Sequence, residues 1–152
     1  MRTTLRLALA AAVLAALSAC GKKDDHAGHD HSAHVHVAPH GGVLVELGDH
    51  AYNVELRRDH ATGKLTAWIL DGHAENFVRI AAPSLDLVAM PGGKFTKLTL
   101  LATANPGTGE TVGNTSQFEV AADWLKTAPG FAGIFTVEIK GTKFEQVAYT
   151  LP

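Results

Sequence analysis

Residues 43–71 read VLVELGDHAYNVELRRDHATGKLTAWILD, and their alternation decides the fold. Val43, Val45 and Leu47 fall on one face of the first segment. In the second, Tyr52, Val54 and Leu56 alternate with Asn53, Glu55 and Arg57. In the third, Leu65, Ala67 and Ile69 face one way and Trp68 the other. A period of two in β-branched, aliphatic and aromatic residues is the pattern of a half-buried strand. Gly48-Asp49 and the Gly-bearing stretch Asp59-His60-Ala61-Thr62-Gly63 are turns of hairpin length, so the three segments form an antiparallel meander. The same alternation puts Glu55 on the exposed face, with Arg57 or Arg58 as its ion-pair partner. Glu46 stands among Leu44 and Leu70, on a face that is partly covered.

The rest of the chain from Pro39 repeats this theme. Strands are expected at 77–81, 85–90, 95–103, 117–120, 133–139 and 144–151, the last two joined around Lys140-Gly141-Thr142-Lys143. Only 121–127 (AADWLKT) reads as a helical turn. Strands without long helical crossovers pair antiparallel. Turns at this spacing over residues 39–152 predict an all-β domain, an antiparallel β-sandwich of immunoglobulin-like type, with a small barrel as the alternative. Asn105 to Ser116 is the longest polar, turn-rich connection.

Upstream of this domain the composition changes twice. Residues 1–19 carry Arg2 and Arg6, then an apolar run from Leu7 to Leu17, then small residues, the three regions of a secretory signal peptide. That run is shorter than the roughly 20 residues a membrane-spanning helix needs. Residues 20–38 have almost no large apolar side chain and cannot bury enough surface to offset their ordering entropy, so a flexible arm is expected. Six of the nine histidines of the chain lie at its end or just beyond: His26, His29, His31, His34, His36 and His40.

Neutral imidazole is the commonest protein ligand of zinc, copper and nickel. His29-x-His31 and His34-x-His36 are two paired donors, His26 lies one short loop earlier, and Asp24, Asp25 and Asp30 add carboxylates. These six histidines are therefore the expected metal ligands, and a divalent zinc, copper or nickel ion the expected cofactor. Cu(I) is disfavoured, because the arm has neither thiolate nor thioether and Met90 is the one methionine after Met1. Two rival readings are a solvated linker and a pH-responsive arm. The second overlaps with metal binding, since protons and metal compete for the same nitrogens.

The meander also sorts the remaining histidines. The turns at 48–50 and 59–63 lie at opposite ends, so His50, Asp71 and His73 gather at one end, a possible second metal cluster. His40, Asp59 and His60 gather at the other. Pro39-His40-Gly41-Gly42 stiffens the junction between arm and domain, and any defined role for one histidine of the stretch falls to His40.

Two resemblances add to this reading. Leu17-Ser18-Ala19-Cys20 resembles the lipobox of bacterial lipoproteins, which implies cleavage before Cys20 and acylation of that residue. Gly21 in place of Asp implies an outer-membrane destination facing the periplasm. The Pro-His-Gly-Gly opening with its following strands resembles small His-rich exported proteins found alongside heavy-metal efflux systems. That implies metal handling outside the cytoplasm, with an efflux component as a possible envelope partner.

Composition excludes several alternatives. Cys20 is the single cysteine, so if it is acylated, as the lipobox resemblance implies, no free thiol remains, which removes disulfides, thiol catalysis, iron–sulfur clusters and thiolate-ligated zinc or blue copper. Without Arg2 and Arg6 the 13 basic residues fall to 11 against 15 acidic, so the formal charge moves from −2 to −4 and no basic stripe for nucleic acid exists. No enzyme is expected. His34-Val35-His36 resembles the copper ligand pair of Cu/Zn superoxide dismutases but precedes the domain, and no nucleophile elbow or phosphate loop is present. The other function class is a non-catalytic adaptor of the cell envelope with an incidental His-rich linker, for which an exposed apolar edge at Phe131 and Phe135 is the expected sign.

Overall fold

The computed structural model describes residues 36–152. The expected signal peptide (residues 1–19), Cys20, His26, His29, His31 and His34 lie outside the described residues. Eight strands follow in order: β1 (Val43–Leu47), β2 (Tyr52–Asp59), β3 (Lys64–Asp71), β4 (Ser84–Ala89), β5 (Thr96–Ala102), β6 (Gln117–Ala121), β7 (Phe131–Ile139) and β8 (Thr142–Leu151). One helical turn, α1 (Trp124–Thr127), precedes β7. Every pairing is antiparallel, and the strands form one sheet in the order β1-β2-β3-β6-β5-β4-β7-β8.

The all-β antiparallel architecture expected from the sequence is thus present, and its two layers are halves of one continuous sheet. The expected meander is present, with Val45 opposite Val54 and Val54 opposite Ile69. After β3 the chain leaves the sheet, makes the β4–β5 hairpin, and returns as β6 to pair with both β5 and β3. The sheet curls until edge strands β1 and β8 lie side by side, nearly closing a barrel. Curling brings the inward residues of all eight strands together, including Leu47, Leu56, Ile69, Leu87, Leu100 and Phe118. Each such fully buried side chain contributes about 1.5–3 kcal/mol.

Local chemistry explains the corners. Lys140 and Gly141 both have positive φ (49° and 83°), the two-residue turn whose twist suits a hairpin. Between Phe135 and Val137 the register against β8 shifts, with Gln146 at φ 50° as the extra residue and its N–H donating to Thr136 Oγ1 at 3.2 Å. A bulge of this kind bends and twists its strand, here turning β8 toward β1. Gly133 pairs with Tyr149 across β7 and β8, and the ring occupies the space a side chain at 133 would need.

Two expectations need correction. Residues 77–81 are not a strand: only the isolated bridges Leu70–Phe77 and Ile80–Thr115 form, as the segment runs beside the end of β3 and then beside Thr115 on its way to β4. Phe131 and Phe135 are not an exposed edge. They point inward from β7, 3% and 2% exposed, while alternate residues of that strand face solvent.

The Tyr149 hydroxyl is buried without a hydrogen-bond partner, and burial pushes its pKa up to about 12. A buried hydroxyl with no partner costs free energy. Tyr149→Phe should therefore leave stability unchanged or raise it by about 1 kcal/mol in urea unfolding at pH 7. The native state holds this proton above the ordinary tyrosine range near pH 10, so the unfolded chain loses it first and the wild-type protein loses stability as pH rises from about 10 to 12. That part of the alkaline loss should be missing in the variant.

Candidate functional site

The Pro39–Gly42 junction is built around a carboxylate. Glu55, in the middle of β2, is 0% exposed. Its Oε1 accepts the backbone N–H of His40 at 2.9 Å and of Gly42 at 2.8 Å. Its Oε2 lies 2.8 Å from His40 Nδ1 and also receives the His40 N–H at 3.2 Å. An acceptor-only carboxylate requires the proton on Nδ1, which leaves Nε2 as the ring nitrogen open to another partner. The imidazole lies flat on Trp68, with centroids 3.8 Å apart and planes at 8°, and tilts against Phe77 at 5.6 Å.

The two glycines have separate reasons. Gly41 takes φ +72°, which turns the chain so that the N–H groups on both sides of it face Glu55. A Cβ on Gly42 would stand 2.6 Å from the Leu56 carbonyl oxygen, so only glycine lets the chain cross β2 this closely. Trp68 Nε1 donates to Gln117 Oε1 at 3.1 Å, Gln117 Nε2 to Glu119 Oε1 at 2.8 Å, and Lys64 Nζ reaches Glu119 Oε2 at 2.9 Å. A cleft of about 150 Å³ beside His40 is walled by Phe77, Asn105, Glu110 and Ser116. The 105–116 loop is anchored by buried Glu110, whose Oε1 accepts the Ser116 N–H at 3.1 Å and hydroxyl at 2.7 Å, with Arg79 Nε at 3.5 Å.

Glu55 is thus not on an exposed face paired with Arg57 or Arg58. The alternation of β2 describes the barrel interior correctly, but residues 40–42 lie over its outer face at Glu55 as well, with Phe77 beside the His40 ring. Arg58 instead ties down the C-terminal end, donating to the carbonyls of Ala128 (3.1 Å), Pro129 (3.3 Å) and Pro152. Nor does His40 join Asp59 and His60, because its ring turns to Glu55 and Trp68. Asp59 accepts the N–H of Ala61 at 2.9 Å and the Thr62 hydroxyl at 2.9 Å, and that hydroxyl holds its carboxyl below the usual range. His60 Nδ1 is 3.4 Å from the Lys126 carbonyl.

At the opposite end, the β1–β2 turn meets the exit of β3 as the meander requires. His50 stands at φ 53°, with Nδ1 3.2 Å from Glu46 Oε2. Asp71 lies nearby with its carboxylate committed to the next turn. It accepts the N–H groups of Glu75 (2.9 Å) and Asn76 (3.2 Å) and the Asn76 amide (2.7 Å), and that amide foremost holds its pKa down. His36 joins this end, its ring centroid 5.7 Å from that of His73 and 6.2 Å from that of His50. Among the described residues, no group of three or more His, Cys, Asp or Glu side chains is placed, as the side chains stand, to hold a metal ion.

Comparison with protein families, with curated proteins and with solved structures finds no match. The residues missed at the sequence level are Glu55, Trp68 and Phe77 as partners of His40. One signal was available: Trp68, a large apolar side chain on the supposedly solvent-facing side of the meander, required a cover.

Glu55→Ala would strand the N–H groups of His40 and Gly42 and should cost about 2–4 kcal/mol in denaturant unfolding. Glu55→Gln keeps an oxygen for both backbone donors, and a switch of the His40 tautomer can satisfy its NH2 group. The glutamine variant should therefore lose about half as much. Equal losses would show that the charge, not the acceptor geometry, holds the junction.

Proposed function

We propose that the chain is an envelope-anchored lipoprotein that binds transition metal. In this reading Cys20 is acylated and holds the protein to the outer membrane, on the periplasmic side. The histidines from His26 onward capture zinc, copper or nickel, and the β domain presents the ion for buffering or for delivery to an envelope partner such as a metal efflux component. The protein acts as a carrier and performs no catalysis.

The observation that carries the reading is the fastening of the histidine-rich stretch to the domain. Four hydrogen-bond contacts to one buried carboxylate and a face-to-face stack on Trp68 fix the chain at His40. An incidental linker gains nothing from ending in so closely specified a junction, whereas a ligand-bearing arm gains a fixed relation to the surface it serves. The adaptor reading counted on an apolar edge at Phe131 and Phe135, and both side chains are interior.

Isothermal titration of the mature chain with Zn(II), Cu(II) and Ni(II), with and without residues 21–38, tests the proposal. Removing the arm should lower the number of ions bound and weaken the tightest binding by about ten-fold or more, a loss of about 1.4 kcal/mol. Equal stoichiometry and affinity in the two chains would take the arm out of the function.

A further inference from the structure

The geometry points to a defined metal site on the domain, made by His36, His50 and His73, that takes one divalent ion such as zinc or copper(II). It rests on the metal-binding reading above and deepens it by separating a fixed site from the collecting histidines upstream. The three rings come from three segments: the arm just before the junction, the β1–β2 turn, and the loop leaving β3. Their centroids lie 5.7 Å (His36–His73) and 6.2 Å (His36–His50) apart, with planes at 63° and 67°. Imidazoles on one tetrahedral zinc, at Zn–N distances near 2 Å, have centroids about 5 Å apart. The His36 ring thus stands within about 1 Å of this spacing from each of the other two, and χ1 and χ2 rotations of the exposed His50 and His73 side chains can bring their nitrogens onto one ion.

The backbone beneath these rings is held much more firmly than solvent-exposed turns require. Asn53, 2% exposed on β2, donates its amide to the carbonyls of Asp71 and Gly72, both at 3.0 Å. Gly72 lies so close to the His50 carbonyl that a Cβ there would collide with it, so only glycine brings the two loops together. Asp71 braces the start of the following turn through Glu75 and Asn76. Glu46 Oε1 receives the His50 N–H at 3.3 Å while Oε2 faces Nδ1 at 3.2 Å. A carboxylate at Nδ1 leaves Nε2 for the ion, the arrangement by which metal-binding histidines are usually oriented. The Glu55–His40 junction, four residues beyond His36, keeps the third ring beside the other two.

The site holds three neutral donors and an open fourth position, which suits an ion that must be passed on. Asp71, though adjacent, is not a ligand, since both its oxygens are committed to the 75–76 turn.

The test uses the full chain in detergent, titrated with Zn(II) and followed by the visible absorption of Co(II). The parent for comparison carries His26→Ala, His29→Ala, His31→Ala and His34→Ala, which removes the collector. This parent should still bind one ion per chain. Adding His50→Asn and His73→Ala should weaken that ion by more than about a hundred-fold, beyond the 10–100-fold typical of losing an outer-shell partner. Asparagine is chosen at 50 because it tolerates positive φ. His36→Ala alone should also weaken binding, and His60→Ala should not. Circular dichroism confirms folding of each variant. If the parent binds no zinc while the unmodified chain does, this site is overturned and the collecting arm survives. One tight ion insensitive to His36, His50 and His73 would likewise overturn it. An unmodified chain without zinc affinity would overturn both this site and the function proposed above.

Discussion

A buried carboxylate in the middle of a strand is the constraint on which the rest of this surface depends. Glu55 is fully buried, and among the described residues its carboxylate is satisfied by the N–H groups of His40 and Gly42 and by one imidazole nitrogen, with no Lys or Arg ion pair. Burying an acidic side chain is costly unless every acceptor site is used. The residues that repay this cost are supplied by a segment with almost no apolar surface of its own. The hydrogen bonds therefore fix where the segment goes, and the Trp68–His40 stack adds contact area.

Several features follow from that arrangement. Because the chain crosses β2 at Gly42, the outer face of β2 and β3 becomes a second, smaller interior holding Asn53, Glu55, Thr66 and Trp68. Polar groups there find partners within the layer: Asn53 on the 71–72 carbonyls, Trp68 on Gln117, Gln117 on Glu119. A second loop is organised on the same principle around Glu110 and Ser116. The domain therefore has an apolar core inside the curled sheet and a hydrogen-bonded layer outside it. His40, through Glu55 and Trp68, belongs to the outer layer.

The apolar interior was legible in the sequence because burial against one core produces strict alternation. β7 shows it over nine residues, and the β1–β2–β3 meander follows from the same pattern and its turns. The outer layer was not legible for the same reason: alternation reports one buried face and is silent about a second covering made of polar contacts. Asn53 and Glu55 look like solvent residues in the sequence because their partners are backbone groups, which carry no side-chain signature. Residues 77–81 look like a strand because Val78 and Ile80 are both buried, yet they bridge β3 and Thr115 without a continuous partner. The gathering of His50 with His73 followed from turn geometry alone. That His36 would join them did not, since it depends on the hidden Glu55 junction.

On the proposed reading, the distinction between collector and site is one of tethering. His34 is two residues from His36, and His26 is ten, so no ligand of the stretch can lie farther than about 35 Å from the three-histidine end. An ion released by one group is then recaptured at the effective concentration set by that tether, well above its concentration in free solution. Interchangeable donors suit capture, because losing one leaves others. A site fixed by Asn53, Gly72 and Glu55 suits presentation, because a receiving protein needs the ion in one place. On that reading both roles would fail if the junction came loose, so Glu55, without touching metal, would govern where metal is offered.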